Sequence, residues 1–198
     1  MARATWFCID IECSGPVPAL YDMISLGVVA VHHTPEGPIC GASAYLEIRP
    51  EAPQVDPGAM AVNGLDLDRL RRQGLPRREA LQALSAFVVA HTDLGSEPVF
   101  VGHNAPFDWS FVAWSYRADD LINPFGYKAL DTKALATGVL GIHWLDSSKE
   151  TLQEMLDLPA QNVEKVHRAD YDAEYQALIL VALLRRAPCL GDAPPAGG

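Results

Sequence analysis

The chain has 198 residues, 49% of them hydrophobic and 20% charged, which suits one globular domain with a sizeable core and leaves two full domains cramped. That composition excludes global disorder, and no apolar run reaches the roughly 18 residues needed to span a bilayer. The formal net charge is −10, from 15 basic and 25 acidic residues, which argues against a nucleic-acid binder with the usual basic footprint, although a protein that grips only a few nucleotides at a chain end needs less positive surface than a duplex binder.

Residues 5–11 are rich in aromatic and β-branched side chains and predict a first strand. A turn-forming stretch follows at 14–18. Residues 23–32 carry the run ISLGVVAV and predict a second strand. A turn at 34–38 leads to a third strand at 42–48, so the chain opens on antiparallel strands. The period then changes. Residues 57–62, 66–72 and 77–91 read as helices, the last with Ala80, Leu81, Leu84, Phe87 and Val88 at helical spacing. A break at 95–97 precedes a short buried strand at 99–101. Residues 106–116 read as a helix with Phe107, Phe111 and Trp114 on one stripe, 129–131 as a last strand, and 132–137 and 149–156 as helices. The final helix, 170–186, is apolar nearly all round between Ala177 and Leu184, which predicts burial. The tail 188–198 reads as disordered. The order predicts an α/β fold with a mixed five-stranded sheet flanked by helices, as one domain over residues 1–187.

Asp10 and Glu12 stand two apart at the end of the first strand, so both point to one face. The spacing alone is weak. With 15 Asp and 10 Glu, chance supplies roughly one D-x-E, and Asp172-Ala173-Glu174 is a second. The surroundings of Asp10 are more telling. Trp6, Phe7, Cys8, Ile9 and Ile11 flank it, and an acid near apolar surface is costly unless paired or metal-bound. Asp108 lies in Gly102-His103-Asn104-Ala105-Pro106-Phe107-Asp108, after a strand and at the start of a helix, with Pro106 suited to the first turn. An acid there steadies a helix N-terminus, but such junctions are also where α/β sheets bind ligands. His167 and Asp172 stand five apart where the chain enters the final helix, a spacing that His103 and Asp108 share.

Gathered in one cleft, Asp10, Glu12, Asp108 and Asp172 would repel one another by roughly 4 kcal/mol per pair at about 4 Å and an effective dielectric of 20. Such a cluster calls for cations, and all-oxygen ligation suits Mg²⁺ or Mn²⁺ rather than zinc. Two such ions are a known solution for phosphodiester cleavage. A neutral imidazole nearby is well placed to take a proton from water at pH 7.

The residues resemble the DEDDh branch of the DnaQ-like 3′–5′ exonucleases, the group containing the proofreading subunit of bacterial replicative polymerase and ribonuclease T. Three motifs carry the resemblance: Phe7-Cys8-Ile9-Asp10-Ile11-Glu12 followed by Ser14-Gly15; Gly102 to Asp108; and His167-Arg168-Ala169-Asp170-Tyr171-Asp172-Ala173. It runs from about Thr5 to Leu184. It implies a ribonuclease H-like fold and hydrolysis from the 3′ end of single-stranded DNA or RNA, releasing nucleoside monophosphates. It implies two Mg²⁺ (or Mn²⁺) held by Asp10, Glu12, Asp108 and Asp172, with His167 as general base. It also implies terminal-nucleotide contacts from the backbone of Cys13, Ser14 and Gly15, a base pocket lined by Met23 and Phe107, and Asn104 at the substrate. The chain departs from the common pattern by Ser14-Gly15 where threonine-glycine is frequent, and by Ser25-Leu26-Gly27 where many members carry glutamate before Ile-Gly. Neither change removes a metal ligand.

The expected partner is a nucleic-acid 3′ end, with no membrane; some relatives are dimers, so a homodimer stays open. The N-terminal stretch MARATWFCIDIE is interrupted by acids and does not read as a signal peptide, so a cytoplasmic protein is expected. Cys8, Cys13, Cys40 and Cys189 form no CxxC pair, which disfavours zinc and fits reduced thiols. Two other readings stand beside the nuclease: an idle nucleic-acid-binding or adaptor module on the same fold, and a phosphoesterase of small nucleotides, which the acidic charge keeps open.

Overall fold

A computed structural model describes residues 4–187. Five strands form one mixed sheet in the order β3-β2-β1-β4-β5. β1 (Ala4–Cys13) is central, antiparallel to β2 (Met23–Thr34) and parallel to β4 (Glu97–Gly102). β3 (Gly37–Glu47) pairs with β2, and β5 (Ala129–Asp131) with β4. The expected α/β fold and mixed five-stranded sheet are both present. β1 to β4 run longer than the apolar pattern suggested. The β2–β3 ladder continues to Thr34 opposite Gly37, because ladder pairing needs only backbone groups and persists beyond the hydrophobic stretch.

The helices are α1 (Pro57–Asn63), α2 (Leu67–Gln73), α3 (Arg77–His91), α4 (Ala105–Ala118), α5 (Thr132–Leu140), α6 (Lys149–Leu156) and α7 (Ala169–Arg186). A short 3-10 turn, Trp144–Asp146, was not anticipated. Among the described residues no helix is long and apolar enough to cross a membrane. Cys8 and Cys13 are buried and Cys40 is exposed, all as free thiols. Cys189 and the tail expected to be disordered lie outside the described residues.

Strand alternation divides the core in two. Odd-numbered residues of β1, Phe7, Ile9, Ile11 and Cys13, pack with α3 and α4. Even-numbered Trp6 and Cys8 pack with Ala173, Ala177, Leu180 and Leu184 of α7. By the same two-residue period, Asp10 and Glu12 continue the even row and face α7. Leu152 and Leu156 of α6 and Ala136 of α5 close a third cluster against Tyr175, Ile179 and Leu183. As expected, α7 is buried along most of its length.

Gly27 stands opposite Asp10 in the β1–β2 ladder. A Cβ there would lie 2.0 Å from the carbonyl oxygen of Ala169. Only glycine lets the first turn of α7 come this close to β2, and that approach carries Asp172 to the end of β1.

Candidate active site

The carboxylates of Asp10, Glu12 and Asp172 each place an oxygen within 4.8 Å of the others. Two come from one strand face and the third from the first turn of α7. The second D-x-E does not converge in this way. Asp172 is buried and Glu174 is exposed, because residues two apart on a helix diverge. Glu174 lines a separate hollow with Cys40 and Ser43.

Asp108 lines the same cleft from α4. β1 stays paired with β4 only as far as Cys8 opposite Val101, which leaves the Ile11 amide free to donate to Asp108 Oδ1 at 3.2 Å. The turn before α4 places Asn104 in the left-handed region at φ 67°, a conformation Asn tolerates better than most residues. The Asn104 amide donates to Asp131 Oδ1 at 3.0 Å, so β5 fixes the entry to α4. His167 also has a positive φ, 65°. Its amide donates to Asp172 Oδ2 at 2.8 Å, and the residue lines the cleft.

Two residues of the site gave no family signal. Lys149, the first residue of α6, donates a hydrogen bond to Asp172 Oδ1 and stands 3.7 Å from Asp10 Oδ1. Gln176, fully buried one turn after Asp172, donates from Nε2 to Asp10 Oδ1 at 2.6 Å. A glutamine four residues after Asp172 on an otherwise apolar helix face was a legible hint. Lys149 offered none, since its place depends on how α6 docks.

Burial, followed by the neighbouring acids, pushes the Glu12 carboxyl up to about 8. Burial raises Asp108 to about 7 despite the Ile11 amide. Asp10 also lies well above the usual carboxylate range, by burial, with Lys149 opposing. Burial works against the Lys149 ammonium, but Asp10 and Asp172 outweigh it and hold its pKa above the usual lysine value. His103 is neutral, held down to about 3 by burial and by Lys149 and Lys133; its Nδ1 lies 2.9 Å from Thr132 Oγ1. Buried carboxylates that repel one another, with only oxygen donors, fit a hard divalent cation.

The cleft, of about 440 Å³, also admits Asn104 and Phe107. A second, apolar cavity of about 370 Å³ adjoins it and shares Ile11, Glu12 and Phe107. Cys13, Gly15, Ala59 and Val62 complete much of its wall.

No family model matches the chain. It is 34% identical to the 3′–5′ DNA exonuclease Cap18 of Escherichia coli over 172 residues, covering 86% of this chain and 89% of that protein. The chain belongs to the DnaQ-like DEDDh exonuclease family. This DEDDh exonuclease is also 30% identical to ribonuclease T of Salmonella typhimurium, covering 94% of the chain and 87% of the relative. Among solved structures, the nuclease domain of 3′hExo, a DEDDh family member bound to rAMP, superposes with a TM-score of 0.77 at 15% identity, covering 95% and 94% of the two chains. Exonuclease I superposes at 0.71 with 17% identity over 94% of this chain and 42% of that one. The fold is thus ribonuclease H-like, and the enzyme is a metal-dependent nuclease of the 3′–5′ type.

Two expected substrate residues do not reach the exonuclease's cavity. Met23 is 2% exposed and packs in the core beneath β1, because its register position, next to the irregularity after Glu12, turns it inward. Ser14 is fully buried. Its hydroxyl accepts from the Asp22 amide at 2.9 Å, its amide donates to the Asp22 carbonyl, and its carbonyl accepts from the Asp56 amide. Ser14 thus braces the loop through its amide, its carbonyl and its hydroxyl oxygen. Cys13, Gly15, Asn104 and Phe107 do line the two hollows.

Proposed function

We propose that this exonuclease removes nucleoside monophosphates from the 3′ end of single-stranded nucleic acid. Asp10, Glu12 and Asp172 would hold the catalytic cation, and Asp10 and Asp108 a second, both Mg²⁺ or Mn²⁺. The observation that carries the reading is the convergence of three carboxylate oxygens within 4.8 Å, in a cleft shared with Asp108 and His167. When bound, the cations lower the pKa of the attacking water and offset charge on the departing 3′ oxygen.

The chain's own residues do the rest. The apolar cavity beside Phe107 takes the terminal nucleoside and excludes water from one side of the scissile phosphate. His167 accepts the proton of the attacking water as general base. Its position follows from the hydrogen bond that its backbone amide donates to Asp172, so base and metal ligand are set together. Gln176 orients Asp10 through a 2.6 Å hydrogen bond. Lys149 supplies positive charge inside the cluster. Four carboxylates balanced by two divalent cations leave one lysine charge, which matches the single negative charge of a phosphodiester.

The relative at 34% identity is named a DNA exonuclease, which favours DNA. RNA is the second reading, supported by the ribonuclease T relatives. A 5′-labelled oligonucleotide incubated with Mg²⁺ should shorten in one-nucleotide steps, and a chelator should stop it. Matched DNA and RNA strands rank the two substrates. Cleavage confined to small phosphate esters would overturn the exonuclease reading.

A further inference from the structure

Arg69, Arg71, Arg77, Arg117 and Arg168 each meet a carboxylate. Lys133 instead lies over an aromatic ring, its Nζ 4.6 Å from the Trp144 ring centroid. Lys133 lines the carboxylate cleft but not the adjoining apolar cavity. Trp144 is 42% exposed, on the 3-10 turn that packs against α5. The turn itself is braced. The Leu145 amide donates to His143 Nδ1 at 3.2 Å, and Ser147 Oγ donates to the Trp144 carbonyl at 2.6 Å. The backbone that carries the indole is therefore braced, Lys133 lies over the ring, and much of the side chain is in solvent, where burial does not explain it.

We propose that Trp144 and Lys133 form a second nucleotide subsite, for the strand upstream of the scissile phosphate. The inference rests on the exonuclease reading above. If the terminal nucleoside sits in the apolar cavity and the scissile phosphate at the carboxylates, the rest of the strand must leave over the cleft wall that the cavity does not occupy. Lys133 stands on that wall. Every base offers a π-face, so an exposed, braced indole binds strands with little sequence preference. A cation–π contact at an exposed site is weak, and the Lys133 ammonium can exchange it for a backbone phosphate as the base takes the ring face. The −10 chain would then hold its substrate by local features and not by a general basic surface.

The test compares a 5′-labelled dinucleotide with an oligodeoxynucleotide of about twelve residues, within the span that such channels grip. The readout is the ratio of kcat/KM for the long over the short substrate. Trp144→Ala should lower that ratio about tenfold or more, mostly through KM on the long strand. Trp144→Phe should recover most of it, and Lys133→Met should lower it in part. Binding of the long strand to an Asp10→Asn background should quench tryptophan fluorescence, and Trp144→Phe should remove that quench. A ratio unchanged in Trp144→Ala and Lys133→Met overturns the subsite while leaving the exonuclease reading in place. A Phe variant as impaired as the Ala variant also overturns it. Wild-type protein that cleaves neither substrate overturns the exonuclease reading itself.

Discussion

Gly27 and Ala169 meet closely enough that a single added carbon on Gly27 would stand 2.0 Å from the Ala169 carbonyl oxygen. Both partners are backbone, so neither can rotate away. Gly27→Ala must push the start of α7 off the sheet. Overpacking of this kind costs about 1–3 kcal/mol, and a 1 Å displacement of a catalytic group can cost about 10²-fold in rate. The expected result is a lower melting temperature with a far larger loss of kcat, since Asp172 rides on that first turn. Wild-type turnover in Gly27→Ala would refute the idea that α7 docking sets the cluster.

Lys149→Met removes the cation held between Asp10 and Asp172. Breaking a buried pair by deleting one partner costs about 3–5 kcal/mol. Because a divalent cation can replace that charge, the loss should depend on metal. In chelator the variant should melt well below wild type, and saturating Mg²⁺ or Mn²⁺ should narrow the gap. An equal drop in both conditions would mean that Lys149 acts by packing alone.

The cluster also predicts a pH dependence. The Glu12 carboxyl is raised to about 8 by burial, above its unfolded value of about 4.5. A raised carboxyl contributes stability that is complete below the unfolded value and lost as pH rises through the folded one. Chelator-treated protein should therefore lose melting temperature between about pH 5 and pH 8, and bound cations should flatten the fall. Asp108, raised to about 7, acts in the same sense. Calorimetry at pH 7 in buffers of unlike ionisation enthalpy should show proton release on cation binding. Metal binding with no proton release would contradict the raised values.

Asp10→Ala should abolish cleavage with the fold retained, checked by circular dichroism beside the oligonucleotide assay. His167→Ala should lower kcat by about 10²–10⁴-fold with a much smaller effect on strand binding. If turnover in His167→Ala matches wild type, another group takes the proton.

The sequence carried the architecture because local periods dictate it. Alternation in β1 assigns Asp10 and Glu12 to one face, and the boundaries of α3, β5 and α6 follow directly from apolar spacing and breaks. The motif order then separates Asp10 and Glu12 from the decoy at Asp172 and Glu174. What escaped was tertiary. Lys149 enters the cluster only because α6 docks against α7 through Leu152 and Leu156. The inward turn of Met23 was not legible because it depends on an irregular register, nor was the brace that Ser14 makes to the Asp22 amide across the loop. Gln176 lay in plain view as a buried polar residue on an apolar face.

Asp172 divides its two oxygens between the Lys149 ammonium and the His167 amide. Any lineage that drifts to asparagine at this position gives up a ligand charge yet can keep an oxygen for the loop. The cleft and its adjoining cavity would then outlive the chemistry. On the proposed ligand set, Asp172→Asn should therefore retain a labelled oligonucleotide in a binding assay without shortening it, the same shape serving either trade.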